Sequence, residues 1–141
     1  MLVGPYLFFD GRCEEALNFY SDAVGAQVLA LMRFKDNPEP RDDCKPDSPN
    51  AEKVMHASVR IGESVIMVSD GENGGTPHFS GFSLSLTLTG DDEAKRCFTA
   101  LAEGGQIVLP LDKTFFASSF GMLRDRFGMH WMVMAPSGHS V

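Results

Sequence analysis

The sequence predicts an α+β fold assembled from two β-α-β-β-β modules, and three observations carry that expectation. Segments 12–24 and 91–103 each set apolar residues at i, i+3, i+4 and i+7: Ala16, Phe19, Tyr20 and Ala23 in one, Ala94, Cys97, Phe98 and Leu101 in the other. This is the stripe of a helix with one buried face. The two halves also align with each other. Glu15-Ala16 matches Glu93-Ala94, Tyr20 matches Phe98, and residues 25–29 match 104–108, with the offset moving from 78 to 79. Each half then ends on a hairpin pattern, at 55–70 and 121–134. Self-similarity of elements in the same order is the mark of an internal duplication.

Taken in order, residues 2–9 read as a strand, with Pro5 tolerable only near an edge because it lacks a ladder donor. Asp10-Gly11 turns the chain into the first helix, and Gly25 stops it. A strand over 27–35 follows. Residues 36–53 are rich in proline and acid and carry no aromatic side chain, so they read as a mobile loop, either a lid over a pocket or a plain surface excursion. Strands at 54–61 and 65–69 pair through the Gly62-Glu63 turn. A glycine-rich link at 70–78 leads to residues 82–89, whose strict alternation gives one apolar face and one hydroxyl face. Asp91 caps the second helix, Gly104-Gly105 ends it, and 106–111 is a strand. The closing hairpin turns at Arg-Asp-Arg-Phe-Gly and holds the single tryptophan, Trp131. The domain is thus a first module at 1–70, containing the 36–53 loop, and a second at 79–136.

Composition narrows the class. A chain of 141 residues with 43% hydrophobic and 22% charged residues is an ordinary soluble domain with a real core. Its net charge of −7 argues against a nucleic-acid partner, whose phosphates call for a basic surface. No apolar run nears the ~20 residues of a membrane span, and the opening residues lack the basic region of a secretory leader. Cys13, Cys44 and Cys97 form an odd set without metal spacing, which suits a reducing cytoplasm. Cys13, near a helix start, is either a thiol of lowered pKa or an inert one; with no base nearby in sequence the inert reading is preferred.

The opening PYLFFDGRCEEALNFY, the stretch VMHASVRIGESVIMVSD, the middle FSLSLTLTGDDEAKRCFTALAEGGQIVLPLDKTFF and the ending FGMLRDRFGMHWMVM together resemble the PhnB-like branch of the vicinal-oxygen-chelate superfamily. That superfamily includes glyoxalase I, extradiol dioxygenases, and fosfomycin- and bleomycin-resistance proteins. The resemblance implies two curved mixed sheets around a cleft, often completed by a homodimer. Branch members are sometimes labelled demethylubiquinone methyltransferases, yet no glycine-rich strand-turn-helix site for a methyl-donor nucleotide is present in this sequence.

The cleft should take the more polar face of each strand: His56, Ser58 and Arg60 on one, Ser83, Ser85 and Thr87 on its counterpart. Met55, Ala57 and Val59, with Phe82, Leu84 and Leu86, would pack on the helices. Metal-dependent relatives carry a His or Glu on each of four strands. The resemblance puts those positions at Pro5, Met67, Ser83 and Met132, none of them a usual ligand for a divalent cation. No cofactor is therefore expected, although a divalent metal on unconventional ligands stays open. His56 is the best catalytic candidate, as ligand or general base; the alternative is a histidine hydrogen-bonded to a neighbour. His130 reads as surface, and His139 sits in the tail. An apolar pocket lining is offered by Phe8 or Phe9, Met32, Phe34, Met67, Phe115, Phe116, Phe120, Trp131 and Met132, with Arg60 or Arg124 for an anionic group. The competing assignment of these apolar residues is core and dimer interface.

The expected ligand-binding set is therefore His56, Ser58, Arg60, Met67, Ser83, Ser85, Phe116, Trp131 and Met132. The leading functional expectation is a metal-independent small-molecule binder with a homodimeric cleft. The alternative is a metal-dependent lyase, isomerase or dioxygenase, and a third possibility is a purely structural dimer. The modules could pair within one chain or by exchange between chains.

Overall fold

Along residues 57–61, buried Ala57, Val59 and Ile61 alternate with more open Ser58 and Arg60. This period of two, dictated by the pleat, decides which side of the sheet becomes core. The computed structural model describes residues 1–39, 48–71 and 76–137 and divides into two compact units, Met1–Pro77 and His78–Val141.

The first unit holds β1 (Tyr6–Phe8), α1 (Cys13–Val24), β2 (Gln27–Arg33), β3 (Val54–Ile61) and β4 (Ser64–Ser69). Its open four-stranded sheet has the order β1-β4-β3-β2, with β1 parallel to β4 and the other pairs antiparallel. Helix α1 buries Cys13, Ala16, Leu17, Tyr20 and Ala23. Leu17 thus takes the place expected for Phe19, which is half-buried, because i, i+3, i+4, i+7 counted from Cys13 is the phase that meets the sheet. Gly25, at φ 69, closes the helix while Ala26 N–H donates to Tyr20 O at 3.2 Å, a left-handed cap of the Schellman type. β1 is shorter than expected: Leu2 and Val3 are exposed, and pairing with β4 starts at Tyr6.

The expected 36–53 loop is pinned at both ends. A short 3-10 turn, Phe34–Asp36, follows β2. Phe34 N–H donates to Lys53 O and Lys35 N–H to Ala51 O, each at 3.1 Å, and Ala51 is buried. Residues 40–47, with Cys44, lie outside the described residues, as does His139.

The second unit repeats the plan with β5 (Leu84–Thr87), α2 (Asp91–Ala102), β6 (Gln106–Asp112), β7 (Ala117–Arg124) and β8 (His130–Pro136), in the order β5-β8-β7-β6. Helix α2 buries Ala94, Cys97, Phe98 and Leu101, the expected stripe. Beneath it Gly121 of β7 leaves room for Phe98; a Cβ there would come within 2.7 Å of the Phe98 ring. The closing hairpin is longer than expected at both ends, and β5 is shorter.

Register makes the duplication concrete. Gln27 pairs with Arg60 and Val28 with Val59, then the ladder slips before Ala30. In the second unit Gln106 pairs with Arg124 and Ile107 with Leu123, then the ladder slips before Leu109. The parallel pairs correspond too: Tyr6 with Met67, Ser85 with Met132. Two four-stranded mixed sheets, each with one helix, make up the fold.

Candidate functional site

Each sheet has a helix-covered face and an open face. In the first unit the open face carries His56, Ser58 and Arg60 from β3, Met67 from β4, and Tyr6 and Phe8 from β1. Leu7 between the two aromatics is buried, so the YLF alternation is what turns both rings outward. The Tyr6 phenol reaches across β4 to the imidazole of His56, with Oη 2.8 Å from Nδ1. The Tyr6 ring centroid lies 5.6 Å from that of His56 and 5.1 Å from that of Phe8.

Burial, and secondarily the charge at Cys13, pushes the Tyr6 pKa up, against a hydrogen bond with Ser69 that lowers it. Either group can be the donor in the Tyr6–His56 hydrogen bond, according to the imidazole tautomer, and the ring's Nε2 is left for a further partner. The arrangement presents polar groups in a row: the imidazole Nε2, the Ser58 hydroxyl and the Arg60 guanidinium. From His56 to Arg60 is four strand residues, about 13 Å.

In the second unit the open face carries Ser85 beside Met132, with Met122 next on β7 and then Arg124 beside His130. Phe116 precedes β7 and stacks edge-on against Phe120 at 5.1 Å. Ser83 lies before β5 and is exposed. Trp131 goes the other way, which corrects its expected placement: it is buried with Val133 and Ala135, and its indole N–H donates to Asp125 Oδ2 at 2.9 Å. Phe9 and Phe34 are likewise buried rather than pocket-lining. Tyr6 is the side chain that sequence reasoning left out of the site. Its signal was available, since Tyr6 and Phe8 flank an apolar residue at strand spacing.

Two buried carboxylates are already committed to the backbone. Asp70 accepts from Gly11 N and Cys13 N through Oδ1, at 2.9 and 2.8 Å, and from Val54 N through Oδ2 at 2.8 Å. It ties the β1–α1 turn and the start of α1 to β3. Asp125 accepts from Phe127 N and Met129 N as well as from Trp131. Cys13 is not an activated thiol: burial, then the negative charges of Asp70 and Glu14, drives its pKa upward.

The four positions that the resemblance equates with metal ligands, Pro5, Met67, Ser83 and Met132, do not all face one another across the parallel pairs. Met67 faces Tyr6 rather than Pro5, and Met132 faces Ser85 rather than Ser83. A phenol, a hydroxyl and two thioethers do not fit a hard divalent cation. Among the described residues no group of three or more His, Cys, Asp or Glu converges.

Residues 2–134 match the pattern of the family described as 3-demethylubiquinone-9 3-methyltransferase. Protein YjdN of Escherichia coli is 36% identical over 138 residues, 94% of each chain. The crystal structure of protein PA1353 from Pseudomonas aeruginosa is similar at 40% identity and TM-score 0.81, covering 96% of this chain and 98% of that one. A putative 3-demethylubiquinone-9 3-methyltransferase, PhnB protein, from Bacillus cereus is similar at 26% identity and TM-score 0.75, covering 96% and 99%. The fold is also that of a glyoxylase/bleomycin resistance protein/dioxygenase domain from Frankia, at 16% identity and TM-score 0.63, covering 96% and 94%.

Proposed function

This chain belongs to the 3-demethylubiquinone-9 3-methyltransferase family, in its PhnB-like form with the glyoxalase/bleomycin-resistance fold, and from that premise we propose that it is a metal-independent binder of small organic acids. The ligand has a flat ring and an acidic group a few bonds away. The observation that carries the reading is the Tyr6–His56 pair on the open face of the first sheet, 2.8 Å apart, with Phe8 beside it and Arg60 farther along β3. The rings of Tyr6 and Phe8 and the adaptable thioether of Met67 suit a planar group. Ser58 and Arg60 then supply donors for its oxygens, joined by His56 Nε2 in the tautomer that has Tyr6 as donor.

Methyl transfer is left out of the proposal for a structural reason. The first strand-to-helix turn has no open amides to offer a nucleoside cofactor, because the N–H groups of Gly11 and Cys13 already donate to the Asp70 carboxylate. A cytoplasmic setting is part of the reading, supported by the unpaired, buried thiols of Cys13 and Cys97. Among the described residues no helix is long and apolar enough to cross a membrane.

The functional unit in this reading is a homodimer. Its support is the pair of edge strands β2 and β6, each seven residues long, which expose Val28 and Leu29 at 47% and 46% and Ile107 and Val108 at 56% and 54%. Long apolar edges of this kind invite coverage by another chain, and the duplicated chain offers a second copy of both. Sedimentation as a monomer at micromolar concentration would remove this part of the proposal.

The binding test is calorimetric titration of metal-free protein with 4-phenylbutyrate. Saturable binding that weakens about tenfold in Tyr6→Phe and more in His56→Ala supports the reading, a tenfold loss being the scale of one hydrogen bond. Equal affinity in all three proteins overturns it.

A further inference from the structure

The open faces of the two sheets have diverged at most equivalent positions. Register equates Tyr6 with Ser85, His56 with Phe120 and Ser58 with Met122, pairs with little in common. Against that background one polar cross-strand pair recurs unchanged. Gln27 stands opposite Arg60 at the start of β2, and Gln106 stands opposite Arg124 at the start of β6. In both units the pair sits just before the slip in the ladder, so it occupies the same place in the repeat as well as the same face.

The charge environment sets these two arginines apart. Arg12 is paired with Glu15 at 2.9 Å, Arg33 with Glu14, and Arg96 lies 3.9 Å from Glu93. Arg126 donates to Glu103 O at 3.2 Å. Arg60 and Arg124 are exposed and have no acceptor among the described residues. On a chain with 19 acidic and 12 basic residues, carboxylates for pairing are plentiful. Leaving the same guanidinium free twice, beside the same carboxamide, calls for a reason.

A guanidinium offers a planar fork of N–H donors that matches an oxyanion in two-point contact, and a neighbouring carboxamide adds an N–H donor from the side. We infer that Gln27–Arg60 and Gln106–Arg124 are two equivalent oxyanion-binding subsites, one in each unit, for carboxylate, phosphate or phosphonate groups. The first subsite shares Arg60 with the small-acid reading above; the second lies in the other unit and stands independently of the Tyr6–His56 pair. The chain would accordingly hold two acidic groups, one at the subsite of each unit.

The test follows the Nε–H resonances of Arg60 and Arg124 in ¹⁵N-labelled protein during titration with inorganic phosphate, with Arg96 as the surface control. Both target resonances should shift saturably and Arg96 should not. Arg124→Ala should remove one response and leave that of Arg60, and Arg60→Ala the converse. Gln27→Ala and Gln106→Ala should weaken only the site in their own unit. Shifts no larger or more saturable than those of Arg96 would overturn the inference, as would a response at one arginine alone. Tyr6→Phe keeps the two ideas apart: it should reduce 4-phenylbutyrate binding and leave both phosphate responses intact. If 4-phenylbutyrate fails to bind while both arginines respond to phosphate, the small-acid reading falls and the paired subsites stand.

Discussion

The indole N–H of Trp131 donates to the Asp125 carboxylate at 2.9 Å, with both side chains only 2% exposed. One carboxylate thereby closes the β7–β8 turn, since it also accepts from the backbone N–H groups of Phe127 and Met129 at 2.9 and 3.0 Å. Asp125→Ala strands three buried donors in an apolar setting. At about 1–3 kcal/mol for each group left unsatisfied, and allowing for partial rescue by water, the expected loss is about 3–5 kcal/mol. Trp131→Phe leaves the two backbone bonds in place and should cost less. Urea unfolding followed by far-ultraviolet circular dichroism measures both; equal losses would mean that the backbone bonds carry little of the turn's stability.

The misplaced tryptophan shows where sequence reading reaches its limit. β3 from Ala57 onward and β5 alternate strictly, so their faces are legible: Ala57 and Val59 lie inside against Ser58 and Arg60, and Leu84 and Leu86 are more covered than Ser85 and Thr87. β8 reads HWMVMAP and is apolar on both faces, so periodicity carries no phase. The phase is set by Asp125, six residues away, which draws the indole inward. A similar limit applies to the pairing of Tyr6 with Met67 and of Ser85 with Met132. β1 and β4, like β5 and β8, are parallel and separated in the chain by a helix and two strands, so no tight turn fixes their register in the sequence. The helices and the duplication were legible because their signal is local and repeated. The Tyr6–His56 contact, between residues fifty positions apart, was not.

Glycine separates two kinds of constraint in this fold. A Cβ on Gly105 would lie 2.1 Å from Arg124 O and 2.9 Å from Asp125 Cα, both rigid backbone, at the start of β6. Gly105→Ala must push β6 away from the β7–β8 turn, at a cost of about 3 kcal/mol or more. Gly62 has φ +59 but nothing within 4 Å of an added Cβ, so Gly62→Ala meets only the left-handed backbone penalty of about 1 kcal/mol. Thermal or urea midpoints of the two variants should differ accordingly. Because Gln106 follows Gly105 directly, the same change should also weaken the phosphate response at Arg124 and spare that at Arg60.

Asp91, in the first turn of α2, accepts from the hydroxyls of Ser118 and Ser119 at 2.6 and 2.7 Å. These bonds, Ser118 first, hold its carboxyl below the ordinary aspartate value. A pKa lowered on folding stabilises the native state above the unfolded-state pKa, about 3.9, and the contribution fades as pH falls through the folded value. A Ser118→Ala/Ser119→Ala double variant should be less stable than the parent at neutral pH, and the gap should narrow in the acid range below about pH 4. The carboxyl carbon resonance of Asp91 should titrate at higher pH in the variant. An unchanged midpoint would show that the hydroxyls do not hold the charge.

Cys13 occupies the first helical position of α1, where helix amides ordinarily lower a thiol's pKa. Here the amide of Cys13 itself is taken by Asp70 Oδ1 at 2.8 Å, and the carboxylate sets negative charge beside the sulfur. Burial is the largest cause of the upward shift, followed by Asp70 and Glu14; burial also raises the pKa of Cys97 on α2. Both thiols should therefore resist iodoacetamide at neutral pH in the folded protein and react once it is unfolded in urea, with peptide mapping by mass spectrometry assigning the sites. Asp70→Asn offers the sharper comparison. It removes the charge while keeping one acceptor oxygen for the amides, so Cys13 should label somewhat faster than in the parent, and Cys97, in the other unit, should not change. Rapid labelling of Cys13 in the folded parent would mean that α1 opens far more often than its buried stripe and closed N-terminus allow.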